Sequence, residues 1–385
     1  MSGKTIASRL SCVLVVIPTV LGGLAACAAL AQTAATPVNV FGQFTAPSSD
    51  KDGKPRGISG MACLGKAGDA TRECFVINDE EGFGEVATLT KEGLTPLGKT
   101  GKVVPFVQKG DTGAGVVGVQ PNPMCEEKGK FGELDGEGVA VAGDFAYVAS
   151  SHSCSGGGKF KPSSFLLTRF KLDSPASFMG KSSPFVERSW RLSDALLASD
   201  KVHDDFGKPK DEGTNIEGIA VIGNRLYAGL RTPVHADPAT GEATAFIVSA
   251  PVEDLFAPGD KKLMEIVKTK EDVKTKQVKL GADAGIRDLA ALKSGNLLIL
   301  SGPTKAQPGV DYKLWLLEQP DSDDKSDKTL HRLVTITTPQ KAPGGEIAKA
   351  ETVVVIDEDS KKLKLLVLYD NINEGAPMQH EITLP

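Results

Sequence analysis

Three glutamates stand in nearly the same phrase. Glu137 lies in Asp135-Gly136-Glu137-Gly138-Val139-Ala140-Val141, Glu217 in Asn215-Ile216-Glu217-Gly218-Ile219-Ala220-Val221, and Glu351 in Lys349-Ala350-Glu351-Thr352-Val353-Val354. Two further copies place Ser59 and Arg287 at that position, in Gly57-Ile58-Ser59-Gly60-Met61-Ala62 and Gly285-Ile286-Arg287-Asp288-Leu289-Ala290. Carboxylates brought together repel unless something positive joins them. Hard oxygen ligands of this type suit Ca²⁺, and a carboxylate beside a bound ion can activate water.

The elements that would gather these residues are hairpins. Each phrase leads through turn residues such as Gly143-Asp144, Gly223-Asn224 or Ser294-Gly295-Asn296 into a second β-like run. These runs are Cys74–Ile77, Phe145–Ala149, Leu226–Leu230, Leu297–Leu300 and Leu365–Tyr369, and further β-like segments follow them. Units of three or four antiparallel strands, recurring every ~60 to 80 residues, predict an all-β repeat architecture, a β-propeller. A tandem array of immunoglobulin-like domains fits worse. Small residues at Gly60, Ala62, Gly138, Ala140, Gly218 and Ala220 suit strands crowded around an axis.

Five copies predict five blades, or six if one within Thr95–Glu133 lacks the phrase. The last unit can borrow Val38–Phe44 as its outer strand, closing the ring without an exposed sheet edge. Of the polar insertions only Leu192–Ala198 reads as helical, with Ser193 as its N-cap.

In a propeller the phrase residues form one ring at a channel mouth, and the second strands return to the same face. The expected metal ligands are therefore Glu137, Glu217, Glu351, Asp79 and Asp370. Glu137, Glu217 and His152 are the candidate catalytic groups, and Arg231, Arg287 and Tyr369 the candidate substrate binders. The expected chemistry is Ca²⁺-dependent hydrolysis of a small anionic ester such as a phosphate ester or lactone. A second reading uses the same residues structurally, with Arg287 paired to Glu217 or Glu351 across the channel. The protein is then a non-catalytic ligand-binding or scaffold propeller of the cell envelope.

Other polar residues carry less. His203-Asp204-Asp205 reads as a solvated loop, and His235 and His380 are isolated. Gly156-Gly157-Gly158-Lys159 lacks the setting of a phosphate-binding loop, and there is no Gly-x-Ser-x-Gly elbow.

The segment 1–31 reads as a secretory signal, with basic Lys4 and Arg9, an apolar stretch from Cys12 to Leu24, and small residues after it. Two cleavage patterns compete. Ala29-Leu30-Ala31 fits ordinary signal peptidase, whereas Leu24-Ala25-Ala26-Cys27 resembles a lipobox that would lipidate Cys27. Residues 32–385 form a single domain, periplasmic or secreted, or held at the outer membrane by that lipid alone. Export fits the four remaining cysteines, expected to pair as Cys63–Cys74 and Cys125–Cys154. A formal charge of −5 without a basic face argues against a nucleic-acid partner and leaves a small anionic ligand or an envelope protein.

The phrases Asn215–Ala220, Gly229-Leu230-Arg231-Thr232-Pro233, Gly285–Ala290 and Leu300-Ser301-Gly302-Pro303-Thr304 resemble a bacterial family known as domain of unknown function 3616, over most of the mature chain. The Glu-Gly-hydrophobic-Ala phrase is also distantly similar to esterase-like phytase domains, themselves read as propellers. That second resemblance implies a phosphoesterase and assigns no catalytic residue.

Overall fold

A computed structural model describes residues 35–45, 57–66, 68–98, 103–108, 110–209, 212–236, 242–305, 307–322, 327–338 and 348–385. The expected signal and Cys27 lie outside these residues. The alternating apolar segments form the five blades of a β-propeller, each an antiparallel sheet whose first strand lies innermost.

Blade 1 is built on Gly60–Cys63, Thr71–Ile77 and Phe83–Thr90. Blade 2 orders Gly136–Ala142, Phe145–Ser150, Leu167–Lys171 and Val186–Ser189. Blade 3 orders Asn215–Ile222, Arg225–Thr232, Ala243–Pro251 and Lys274–Lys279. Blade 4 follows with Ala284–Ala291, Leu297–Pro303, Tyr312–Leu317 and Leu330–Ile336, and blade 5 with Lys349–Glu358, Lys362–Asp370 and Met378–Thr383.

No sixth blade arises from 95–133 among the described residues. Leu94–Pro96 and Val103–Pro105 both pair with Phe83–Thr90 of blade 1, and Glu127–Lys128 runs parallel to Lys159–Phe160.

The N-terminal segment does close the ring, but in a different register from the one expected. Thr36–Pro37 pairs with Met378–Gln379 as the outer strand of blade 5. The more strand-like Val38–Phe44 crosses to blade 1, where Leu94 donates to the Asn39 carbonyl and Phe41 to the Leu94 carbonyl, each at 2.8 Å. Beyond it, the Phe44 amide donates to Glu374 of the last blade at 2.8 Å. The segment thus straddles the seam and satisfies backbone groups on both sides.

Between blades 1 and 2 the core is aromatic. Phe75 meets Phe106 and Phe170 edge-on at 6.0 and 5.1 Å, the geometry that ring quadrupoles favour. Both disulfides form as expected: Cys63–Cys74 joins facing residues of two strands of blade 1, and Cys125–Cys154 pins a long loop beside the end of Phe145–Ser150. A helix spans Arg191–Ala198, one residue earlier than expected. Its first amide is capped by Ser189 Oγ at 3.1 Å. Ser193 lies inside the helix and does not serve as its cap.

Candidate functional site

The phrase residue is a β-bulge. In blades 2 to 5 the register between the first two strands shifts at this position, so the ladder skips Glu137, Glu217, Arg287 and Glu351. A bulge bends its strand and re-aims one side chain. Repeated around an axis, it turns these side chains toward one end of the channel. In blade 1 Ser59 directly precedes the strand, its amide donating to the Ile77 carbonyl at 3.2 Å.

The next residue in each copy sets the spacing of the inner strands. A Cβ on Gly138 would lie 2.7 Å from the Ile219 amide nitrogen, and one on Gly218 would overlap the Asp288 backbone. In blade 4 this residue is Asp288. Its carboxyl spans to blade 5, accepting the Val353 N–H at 2.7 Å and the Leu289 N–H at 2.8 Å. Burial raises its pKa well above the usual carboxylate range, against the pull of those two amides.

The ring residues are buried and largely charged. Arg287, 2 % exposed, reaches Glu217 Oε2 at 3.2 Å and also contacts Glu351 through the same Nη2. Arg231 reaches the other oxygen of Glu217 at 2.9 Å, and Asn215 Nδ2 donates to that oxygen at 3.2 Å. Burial alone would lower the Arg287 pKa, but Glu217 and Glu351 hold it above its ordinary value. Burial pushes the Glu351 carboxyl up, with Asp370 and Glu217 adding to it and Arg287 opposing. Glu137 is buried in the same ring and within electrostatic range of Arg287.

The ends of the second strands meet the ring unevenly. Arg231 joins it through Glu217. The Asp79 amide donates to Ser59 Oγ at 3.2 Å, while Asp370 stands at the rim, 19 % exposed and 3.4 Å from Lys349. Tyr369 is instead fully buried in the apolar core, its hydroxyl donating to the Thr337 carbonyl at 3.3 Å.

His152 is also placed away from the charges. With φ of 55° it turns under Phe165, and its Nδ1–H donates to the Ser150 carbonyl at 2.9 Å. Burial lowers its pKa to about 4, partly countered by that bond. It is a neutral core imidazole, and no carboxylate is among the causes of its shift.

Three participants escaped the sequence reading. Tyr312 reaches the ring because Gly302 lacks a side chain: a Cβ there would overlap the tyrosine ring and come within 3.1 Å of Arg287 Cγ. Burial raises the Tyr312 phenol to about 12, with Arg287 lowering it and Glu351, Glu217 and Asp370 raising it. Asn215 and Lys349 were legible in principle, because each stands two residues before its ring glutamate.

The other half of the channel has a different character. Residues 61–63, 139–141, 219–221, 289–291 and 353–355, whose side chains are all apolar, line a cavity of about 120 Å³. Among the described residues no group of three or more His, Cys, Asp or Glu is arranged to hold a metal ion. Of the expected ligands, Glu217 and Glu351 contact the guanidinium groups of Arg231 and Arg287. No described helix is long and apolar enough to cross a membrane.

No curated protein matches the sequence. Among solved structures, a hypothetical protein from Leishmania major is similar at a TM-score of 0.41 and 9 % identity, over 92 % of this chain and 91 % of that one. The α-L-arabinofuranosidase of Podospora anserina, in complex with cellotriose, is similar at 0.40 and 8 % identity, over 92 % and 98 %. A Trypanosoma rangeli sialidase in complex with sialic acid gives 0.35 and 12 %, over 91 % and 59 %. The family model described as "Protein of unknown function (DUF3616)" matches residues 188–383, a segment that holds Glu217, Arg231, Arg287, Glu351 and Asp370. The chain belongs to that family.

Proposed function

We propose that this protein is a ligand-binding propeller of an oxidising, extracytoplasmic compartment, whose ring face takes a small polar molecule without the help of a metal ion. The observation that carries this reading is Arg287 lying between Glu217 and Glu351. Of the carboxylates expected to hold Ca²⁺, Glu217 and Glu351 have guanidinium partners within the fold, and an ion entering between them would have to displace a guanidinium and leave it unpaired. The two disulfides support the compartment. The competing reading, Ca²⁺-dependent hydrolysis of an anionic ester, also requires Arg231 and Arg287 to bind the substrate while both engage carboxylates.

Thermal unfolding with EDTA and with millimolar Ca²⁺ separates the two, because a ligand that binds only the folded state raises the melting temperature. Equal melting temperatures in both conditions are expected, together with lower stability but no lost activity in Glu217→Gln. A Ca²⁺-dependent rise accompanied by hydrolysis of a phosphate ester or lactone would replace this reading with the hydrolase.

A further inference from the structure

Hydrogen-bonding atoms left over in the ring define the kind of molecule it can accept. Asn215 Oδ1, Arg231 Nε and Arg287 Nε are buried and have no hydrogen-bond partner among the described residues. All three side chains converge on one carboxylate, that of Glu217. The orientation of Asn215 follows from chemistry. An ionised carboxylate only accepts, so the amide must present Nδ2 to Glu217 and direct Oδ1 away from it.

The remaining set therefore mixes one acceptor with two N–H donors. A bare cation would satisfy only Asn215 Oδ1, and a bare anion only the two N–H groups. A hydroxyl group donates and accepts at once. Buried polar groups are seldom left unpaired in native proteins, so a cluster of them marks a place where another molecule belongs.

We infer that the ring binds a neutral, hydroxyl-rich small molecule, a sugar or other polyol, whose hydroxyls donate to Asn215 Oδ1 and accept from Arg231 and Arg287. This rests on the binding reading above and adds the ligand class to it. Entry is over the least buried part of the site, where Arg231 is 11 %, Asp370 19 % and Lys349 35 % exposed.

The test is thermal shift and calorimetry of the whole chain with glucose, myo-inositol and glycerol, beside inorganic phosphate and Ca²⁺. At least one polyol is expected to raise the melting temperature, and phosphate and Ca²⁺ to leave it unchanged. Arg231→Lys retains a positive charge facing Glu217 but has no Nε–H. It should weaken polyol binding about tenfold, the scale for a lost hydrogen bond to a charged group. No shift with any of the three polyols overturns the inference, even if a crystal structure shows ordered water filling the ring. Polyol binding unaffected by Arg231→Lys also overturns it. A shift with phosphate alone would reject the ligand class but keep the binding reading, whereas Ca²⁺-dependent hydrolysis would reject the binding reading itself.

Discussion

The inner strands of blades 2 and 3 and those of blades 4 and 5 solve the same crowding problem differently. In the first pair Gly138 and Gly218 follow the bulge, and each strand packs directly on the backbone of the next. In the second pair Asp288 and Thr352 take that place, and the Asp288 carboxyl bridges to a blade 5 amide. The bulge itself is common to all four blades. Its neighbour decides whether strands meet through backbone or through side chains, and the guanidinium of Arg287 lies on the side-chain half. A repeat can thus keep its geometry constant while changing how its inner strands meet.

The largest effect is expected from the half that holds Arg287. Arg287→Met leaves Glu351 and one oxygen of Glu217 buried without their guanidinium, which should cost about 3–5 kcal/mol of unfolding free energy in urea. A loss below about 1 kcal/mol would mean that the ring is hydrated and that Arg287 adds little to the packing of blades 3 to 5. On the glycine half, Gly218→Ala sets a methyl group against the Asp288 backbone and should cost roughly 3 kcal/mol. Tolerance of alanine there would show that the strands can separate, and the two halves would then differ in sequence only.

A smaller effect sharpens the comparison through pH, because blade 2 also buries a neutral imidazole away from the charged ring. The folded pKa of His152, about 4, lies below the unfolded 6.5, so the unfolded chain takes up the proton first. The contribution of His152 is complete above pH 6.5 and declines as pH falls toward 4, by about 2 kcal/mol at pH 5. Denaturation at pH 7 and pH 5 should show this slope, and His152→Asn should reduce it. An unchanged slope in the variant would assign the acid sensitivity elsewhere.

The architecture was legible because the phrase carries its own register. A charged or polar residue set into an otherwise apolar inner strand marks the bulge, so aligning apolar positions also aligned Glu137, Glu217, Arg287 and Glu351. The ends of the second strands were less legible. Knowing that a strand returns to a face does not tell which way its last side chain turns, and the left-handed backbone of His152 and the core-facing Tyr369 went the other way. Tyr312 was hidden for a different reason. Its place depends on a missing side chain at Gly302 in the neighbouring strand, a relation without a local pattern. The closing strand was shifted because Thr36–Pro37 has little strand character of its own and is fixed by pairing with residues near the other end of the chain.

That pairing also bears on synthesis. Phe44 donates to Glu374 across 330 positions, so the seam needs a strap and a blade that are synthesised far apart in time. The other four inter-blade boundaries can assemble as the chain emerges, but this one must wait for residues 374–379. Long-range pairings of this kind form slowly. Until then the strap's groups that pair with blade 5 are exposed to other chains, so nascent molecules are prone to mispair until residues 374–379 have emerged.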